Sequence, residues 1–285
     1  MQNISKCLLF FIIILSAASC ITNDETGEII INPVEYYQEI NVSYGSDSDQ
    51  VFDLYLPAGR TDETRVIILV HGGGWASGDK VDMNAFKDYI LQNIPDVAVV
   101  NINYRLANDT AQPYPMQIND IKTIVNYLKY KQSEYVISND IAFIGTSAGA
   151  HLSLLWSYAF DSENQTKMVC SIVGPTNFTD PEYLNNTDSI LQEILDLYGT
   201  DATTAHLEEV SPYHQVTIGA PPTILFYGGV DPLIPTSQGI GMRDKLVDLG
   251  IAHQFTLYPT EGHGWSGLNL LDTTAKLHAF IETHL

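Results

Sequence analysis

The sequence predicts an α/β protein: a mostly parallel eight-stranded sheet with helices on both faces and a small insertion over the carboxyl ends of the strands. Three observations predict it. Aliphatic runs such as "RVIILV" show no polar alternation, as expected of strands buried on both faces. Those runs alternate with longer amphipathic patterns, the order of a parallel sheet with crossover helices. The chain of 285 residues, 45% of them apolar, is long enough to enclose one large core.

The elements follow in order. Lys6 precedes the apolar run "CLLFFIIILSAA", which is too short to span a bilayer and ends in the small residues of a signal peptide, assigned to residues 1–19. "SAASC" resembles a bacterial lipobox, with Ala17 where leucine is usual, and makes Cys20 the candidate lipid site. Cleavage nearby without lipidation would leave an ordinary secreted or periplasmic protein. Residues 20–36 are expected as a tether and 37–285 as the catalytic domain. The expected location is therefore the cell envelope, with the membrane reached only through an N-terminal lipid anchor.

"YYQEINVSYG" and "QVFDLYL" read as an antiparallel strand pair joined by the polar turn "SDSD". The remaining strands are "RVIILV", "DVAVVNINY", "IAFIG", "MVCSIVG", "TILFYG" and "HQFTLYP". The helices are "NAFKDYILQ", "MQINDIKTIVNYLKY", "SAGAHLSLLWSYAF", "SQGIGMRDKLVDLG" and "LLDTTAKLHAFIETHL". Residues 175–222 are irregular, with short helical patterns such as "SILQEILDLYG", and form the insertion.

Composition narrows the function classes. With 13 basic and 34 acidic residues the formal charge is −21, which disfavours nucleic acid and anionic membrane as partners. Cys170 is the one thiol beyond Cys7 and Cys20, so the mature domain has no intramolecular disulfide framework. Within a strand-like run, Cys170 reads as a buried apolar residue and not a nucleophile.

In open sheets of this kind ligands bind at the carboxyl ends of the strands. There "GTSAG" (145–149) joins a strand directly to a helix, a context that makes G-x-S-x-G a candidate nucleophile turn. Ser147 is the candidate nucleophile, and it needs a base. Of the eight histidines, His151 is expected to point into packing and His206 and His214 fall in the insertion. His253 begins a strand, and His278 and His284 ride the last helix. His263 lies past the last strand between Gly262 and Gly264, where a loop can carry it over the sheet. Asp231, after the preceding strand, is the candidate orienting carboxylate, although Asp-Pro also suits a plain turn. Asp244 and Asp248, mid-helix, fit worse. The order Ser147, Asp231, His263 is that of α/β-hydrolases. "HGGG" after "RVIILV" supplies candidate oxyanion donors, the N–H groups of Gly73 and Gly74, with the N–H of Ala148 completing the hole. A Cβ on those glycines is expected to crowd the acyl group.

With these motifs in place the chain resembles the HGGG-bearing esterases of the α/β-hydrolase superfamily, and is closest in pattern to acetyl-xylan and feruloyl esterase-like members. "DLYLP", "HGGGWASGDK", "NYRL", "PMQIND", "GTSAGAHL", "GGVDPLIP" and "EGHGW" carry the resemblance in order. It implies serine-dependent hydrolysis of a small-molecule or polysaccharide-linked ester, with no metal and no organic cofactor. It also implies that Arg105 and Asp120 form a buried structural pair behind the oxyanion loop and that Trp75 packs beneath it. Competing readings are an amide hydrolase (arylformamidase-like, or a peptidase) and a non-catalytic binding protein on the same fold. The intact Ser-His-Asp set argues against the last.

Overall fold

The computed structural model describes residues 21–23, 29–197 and 203–285. The signal peptide and Cys20 lie outside the described residues. Ten strands are described: β1 (Ile21–Asn23), β2 (Ile29–Ile31), β3 (Tyr37–Ser43), β4 (Val51–Leu56), β5 (Val66–Val70), β6 (Ala98–Ile102), β7 (Ile141–Thr146), β8 (Thr166–Ile172), β9 (Thr223–Gly228) and β10 (His253–Tyr258). The α-helices are α1 (Asn84–Asn93), α2 (Pro113–Tyr130), α3 (Gln132–Tyr135), α4 (Ala148–Leu155), α5 (Pro181–Leu184), α6 (Ser189–Asp196), α7 (Thr204–Glu209), α8 (Pro212–Gln215), α9 (Thr236–Asp248) and α10 (Gly267–His284).

Eight strands form one sheet in the order β10-β9-β8-β7-β5-β6-β4-β3. From β6 to β10 neighbouring strands are parallel, while β3–β4 and β4–β6 are antiparallel. The eight expected strands are these eight. The aliphatic runs are buried on both sides, as expected. Along β5, Val66, Ile68 and Val70 join one core cluster, and Ile67 and Leu69 join the other. The first cluster includes Ile121, Ile124 and Leu128 of α2, Leu152 of α4 and Met242 of α9. The second includes Ile90 of α1 and Leu277, Phe280 and Ile281 of α10. Helices therefore cover both faces.

β5 pairs with β6 on one side and β7 on the other, so the strand order reverses there and opens a crevice at the carboxyl ends. The expected insertion, residues 175–222, contains α5 to α8. The helix expected over 147–160 is α4 followed by a π-helical turn at Trp156–Phe160.

Within the expected tether, β1 and β2 form a separate antiparallel ribbon. Ile31 is buried, and Arg60 fastens this segment by donating to the carbonyls of Ile31 (2.7 Å) and Glu35 (2.8 Å). Cys170 is buried and unpaired, and burial pushes its thiol pKa up. Among the described residues no helix is long and apolar enough to cross a membrane.

Candidate active site

β7 ends in Thr146, and α4 begins at Ala148, leaving Ser147 as the single turning residue with φ 50° and ψ −119°. A non-glycine residue there is strained, and such strain persists only where its surroundings impose it. They do so here. The Ser147 N–H donates to the Ile172 carbonyl at the end of β8 (2.8 Å). A Cβ on Gly145 would stand 2.4 Å from the Gly149 carbonyl oxygen, and one on Gly149 would stand 2.2 Å from that of Val70. Only glycines let strand, turn and helix approach this closely.

The structure brings the three triad candidates together. His263 Nε2 lies 2.9 Å from Ser147 Oγ, and His263 Nδ1 lies 2.8 Å from Asp231 Oδ2. A carboxylate only accepts, so Nδ1 carries the hydrogen and Nε2 is left to accept from the serine. The Asp231 side chain is buried, while that of His263 is a quarter exposed. The other carboxylate oxygen accepts from the N–H groups of Leu233 (2.9 Å) and Ile234 (3.1 Å), which fixes its orientation. The His263 loop is braced from α10. Trp265 Nε1 donates to Thr273 Oγ1 at 2.8 Å, and Asn269 Nδ2 donates to Glu261 Oε1 at 2.6 Å.

Gly72, Gly73 and Gly74 line one cavity with Ser147 and His263. Among the described residues no backbone acceptor pairs with the N–H of Gly73, Gly74 or Ala148. The reason expected for Gly73 needs correction. A Cβ on Gly73 would lie 2.1 Å from the Ser77 carbonyl oxygen, inside the loop's own turn, and not in the path of an acyl group. Gly73 and Gly74 have φ of 110° and 58°, so both conformations favour glycine. The glycine that abuts the candidate nucleophile is Gly72, whose Cβ would stand 3.1 Å from Ser147 Cβ.

Trp75 does pack beneath the loop, 1% exposed. Its indole N–H donates to His151 Nδ1 (3.2 Å), and His151 Nε2 meets the Val210 carbonyl (2.8 Å), so His151 sits in packing as expected. Burial lowers the His151 pKa to about 4 and also pushes that of His71 down. His71 stacks on Tyr104 at 4.3 Å, and its Nδ1 donates to the Gly72 carbonyl at 2.7 Å.

The expected buried pair is half right. Asp120 is fully buried and bonds Arg105 Nη2 at 2.6 Å, but the Arg105 side chain is a third exposed. Sequence reasoning missed Gln117, whose Nε2 donates to the carbonyls of Trp75 (2.6 Å) and Arg105 (2.8 Å) and so makes the direct tie to the loop. It also missed buried Lys80, which bonds Asn41 Oδ1 at 2.9 Å and Asp53 Oδ1 at 3.3 Å. Gln117 lies inside the quoted "PMQIND", three residues before Asp120 on one helical face, which was the available signal.

The cavity encloses about 740 Å³, within the range of small-molecule sites. Among the described residues no three His, Cys, Asp or Glu side chains gather as metal ligands would. The arrangement is equipped for a proton-assisted attack by a hydroxyl on a carbonyl held against backbone donors.

The BD-FAE family model matches residues 52–246. Esterase LipC of Mycobacterium tuberculosis is 28% identical over 267 residues, covering 86% of this chain, which in turn spans 64% of that esterase's length. Carboxylesterase NlhH of the same organism is 25% identical over 253 residues, covering 82% of this chain and 76% of its own. Among solved structures, a truncated carbohydrate esterase from gut microbiota superposes with a TM-score of 0.72 at 20% identity, covering 88% of this chain and 98% of its own. An acetyl ester-xyloside bifunctional hydrolase from Caldicellulosiruptor lactoaceticus gives 0.68 at 18% identity, covering 82% and 88%. The fold is that of the α/β-hydrolases, as the motifs implied.

Proposed function

The chain belongs to the BD-FAE family, and from that premise we propose that it is a serine carboxylic-ester hydrolase working through an acyl-enzyme. One observation carries the reading: the unbroken chain of hydrogen bonds from Ser147 through His263 to Asp231. Ser147 Oγ attacks the ester carbonyl while His263 Nε2 takes its proton. The Asp231 carboxylate holds the imidazole in the required tautomer and stabilises the imidazolium. The oxyanion meets the free N–H groups of Gly73, Gly74 and Ala148. As the tetrahedral intermediate collapses, His263 returns the proton to the departing alcohol oxygen. Water then attacks the acyl-serine with His263 as base, and the acid leaves.

The esterase relatives support ester chemistry over amide chemistry. The carbohydrate esterase and the acetyl ester-xyloside hydrolase share this fold, and the cavity has room well beyond an acetyl group. These support a small-molecule or polysaccharide-linked ester, such as acetylated or feruloylated plant polysaccharide, as substrate. The N-terminal sequence supports export with lipid attachment at Cys20.

The test is a panel of p-nitrophenyl esters, acetylated and feruloylated xylan and an aryl formamide, run with wild type and Ser147→Ala. Ester turnover is expected in wild type, with a loss on the order of 10⁴-fold or more in the variant. Turnover of the formamide alone, or full activity without Ser147, overturns the reading. Mass spectrometry of the native N-terminus tests the anchor: a diacylglyceryl group on Cys20 is expected, and an unmodified terminus elsewhere rules it out.

A further inference from the structure

Aside from the triad, the described side chains that line the cavity above Ser147 carry charge of one sign. Among the described residues Asp82, Asp109 and Glu193 line it, and no lysine or arginine does. The three carboxylates come from separate places: the short helix after the glycine loop, the connection between β6 and α2, and α6 of the insertion. All three are exposed toward solvent. Asp82 is fixed by a capping box, its Oδ2 accepting from the Asp79 N–H at 3.1 Å. The cations nearest in sequence are engaged elsewhere. Lys80 is buried against Asn41 and Asp53, and Arg105 is held by Asp120.

We infer that this cavity selects neutral esters and rejects esters that carry a carboxylate, with Glu193 and Asp109 as specificity determinants. The inference rests on the ester-hydrolase reading. A charged group entering the cavity faces the carboxylates that line it, and at moderate salt their field carries over a screening length of about 8–10 Å. Apolar walls of low dielectric, among them Ile190, Leu197, Trp265 and Leu270, focus the field of these carboxylates within the cleft. Neutral acylated sugars or aryl esters enter without that opposition, whereas half-esters of dicarboxylic acids and esters on uronate residues meet it. The same field favours departure of the carboxylate product after deacylation.

The test compares 4-acetoxybenzamide with 4-acetoxybenzoate, which share acyl group and shape and differ in charge. Each kcat/KM is divided by the ester's own hydroxide-catalysed rate. At low ionic strength the neutral ester is expected to be preferred by about tenfold or more. The preference is expected to shrink in about 0.5 M salt and in Glu193→Gln and Asp109→Asn, through a gain on the anionic ester. Equal normalised rates in wild type, or a preference indifferent to salt and to both substitutions together, overturn this inference while the hydrolase reading stands. Failure to hydrolyse either ester overturns both.

Discussion

The indole N–H of Trp75 donates to Nδ1 of His151 at 3.2 Å. Trp75 belongs to the glycine loop, His151 lies one turn beyond Ser147 on α4, and the other imidazole nitrogen donates to Val210 in the insertion. One ring thus joins the candidate oxyanion donors, the helix of the candidate nucleophile and the segment over the site. Because tryptophan only donates, the contact also fixes the tautomer of His151.

Trp75→Phe keeps a ring beneath the loop and removes this donor. The expected loss of unfolding free energy is about 1–3 kcal/mol, measured by urea titration. A fall in kcat should accompany it as the glycine loop shifts. Unchanged stability and unchanged turnover would remove this bond from the account.

Acid should weaken the fold through the same residue. His151 is held neutral, with a folded pKa of about 4 against an ordinary 6.5. Between those values the unfolded chain binds a proton that the native state refuses, so stability falls as pH drops through 6.5 toward 4. From pH 7 to pH 5 the His151 contribution is about 2 kcal/mol. His71, shifted in the same direction, adds to the loss. His151→Gln, which can still accept and donate, should flatten this pH dependence in urea unfolding. An equally steep dependence in the variant would assign it to other groups.

The glycines should separate by phenotype. Gly73→Ala drives a Cβ into the Ser77 carbonyl at a φ of 110°, so it should lower the melting temperature and disorder the loop. Gly72→Ala meets Ser147 Cβ and the Thr146 carbonyl oxygen at 3.1 Å, a contact that a small shift relieves. It should cost turnover more than stability. Calorimetry and kcat on both variants decide this, and a Gly73→Ala protein as stable as wild type would contradict the loop geometry.

The sheet and the meeting of the three triad candidates were legible because each is written locally. Aliphatic runs mark strands buried on both faces, and the strand–turn–helix context singles out Ser147. Asp231 and His263 follow successive strands, so chain order places them at the same edge. What holds the glycine loop was not legible. The bonds from Gln117 to the Trp75 carbonyl and from Lys80 to Asn41 and Asp53 depend on side-chain directions across distant segments, which no local pattern encodes. Gly73 was assigned to the wrong neighbour for the same reason. Spacing identifies a tight approach but not whether substrate or backbone fills it.

Asp231→Asn should preserve the fold, because the amide oxygen can still accept from Leu233 and Ile234. The amide nitrogen then faces His263 Nδ1 and forces the opposite tautomer, with Nε2 carrying the hydrogen toward Ser147. Turnover should fall on the order of 10⁴-fold at neutral pH. An Asp231→Asn enzyme retaining most of its kcat would show that another carboxylate orients the histidine.

The central claim is that Ser147 is a nucleophile activated by His263, and peptide mapping after reaction with a fluorophosphonate tests it most directly. One organophosphoryl adduct is expected, on the peptide bearing Ser147. It should be absent from Ser147→Ala and should form at least about a thousandfold more slowly in His263→Ala. An adduct on any other residue, or labelling of Ser147 at the wild-type rate without His263, would contradict the account.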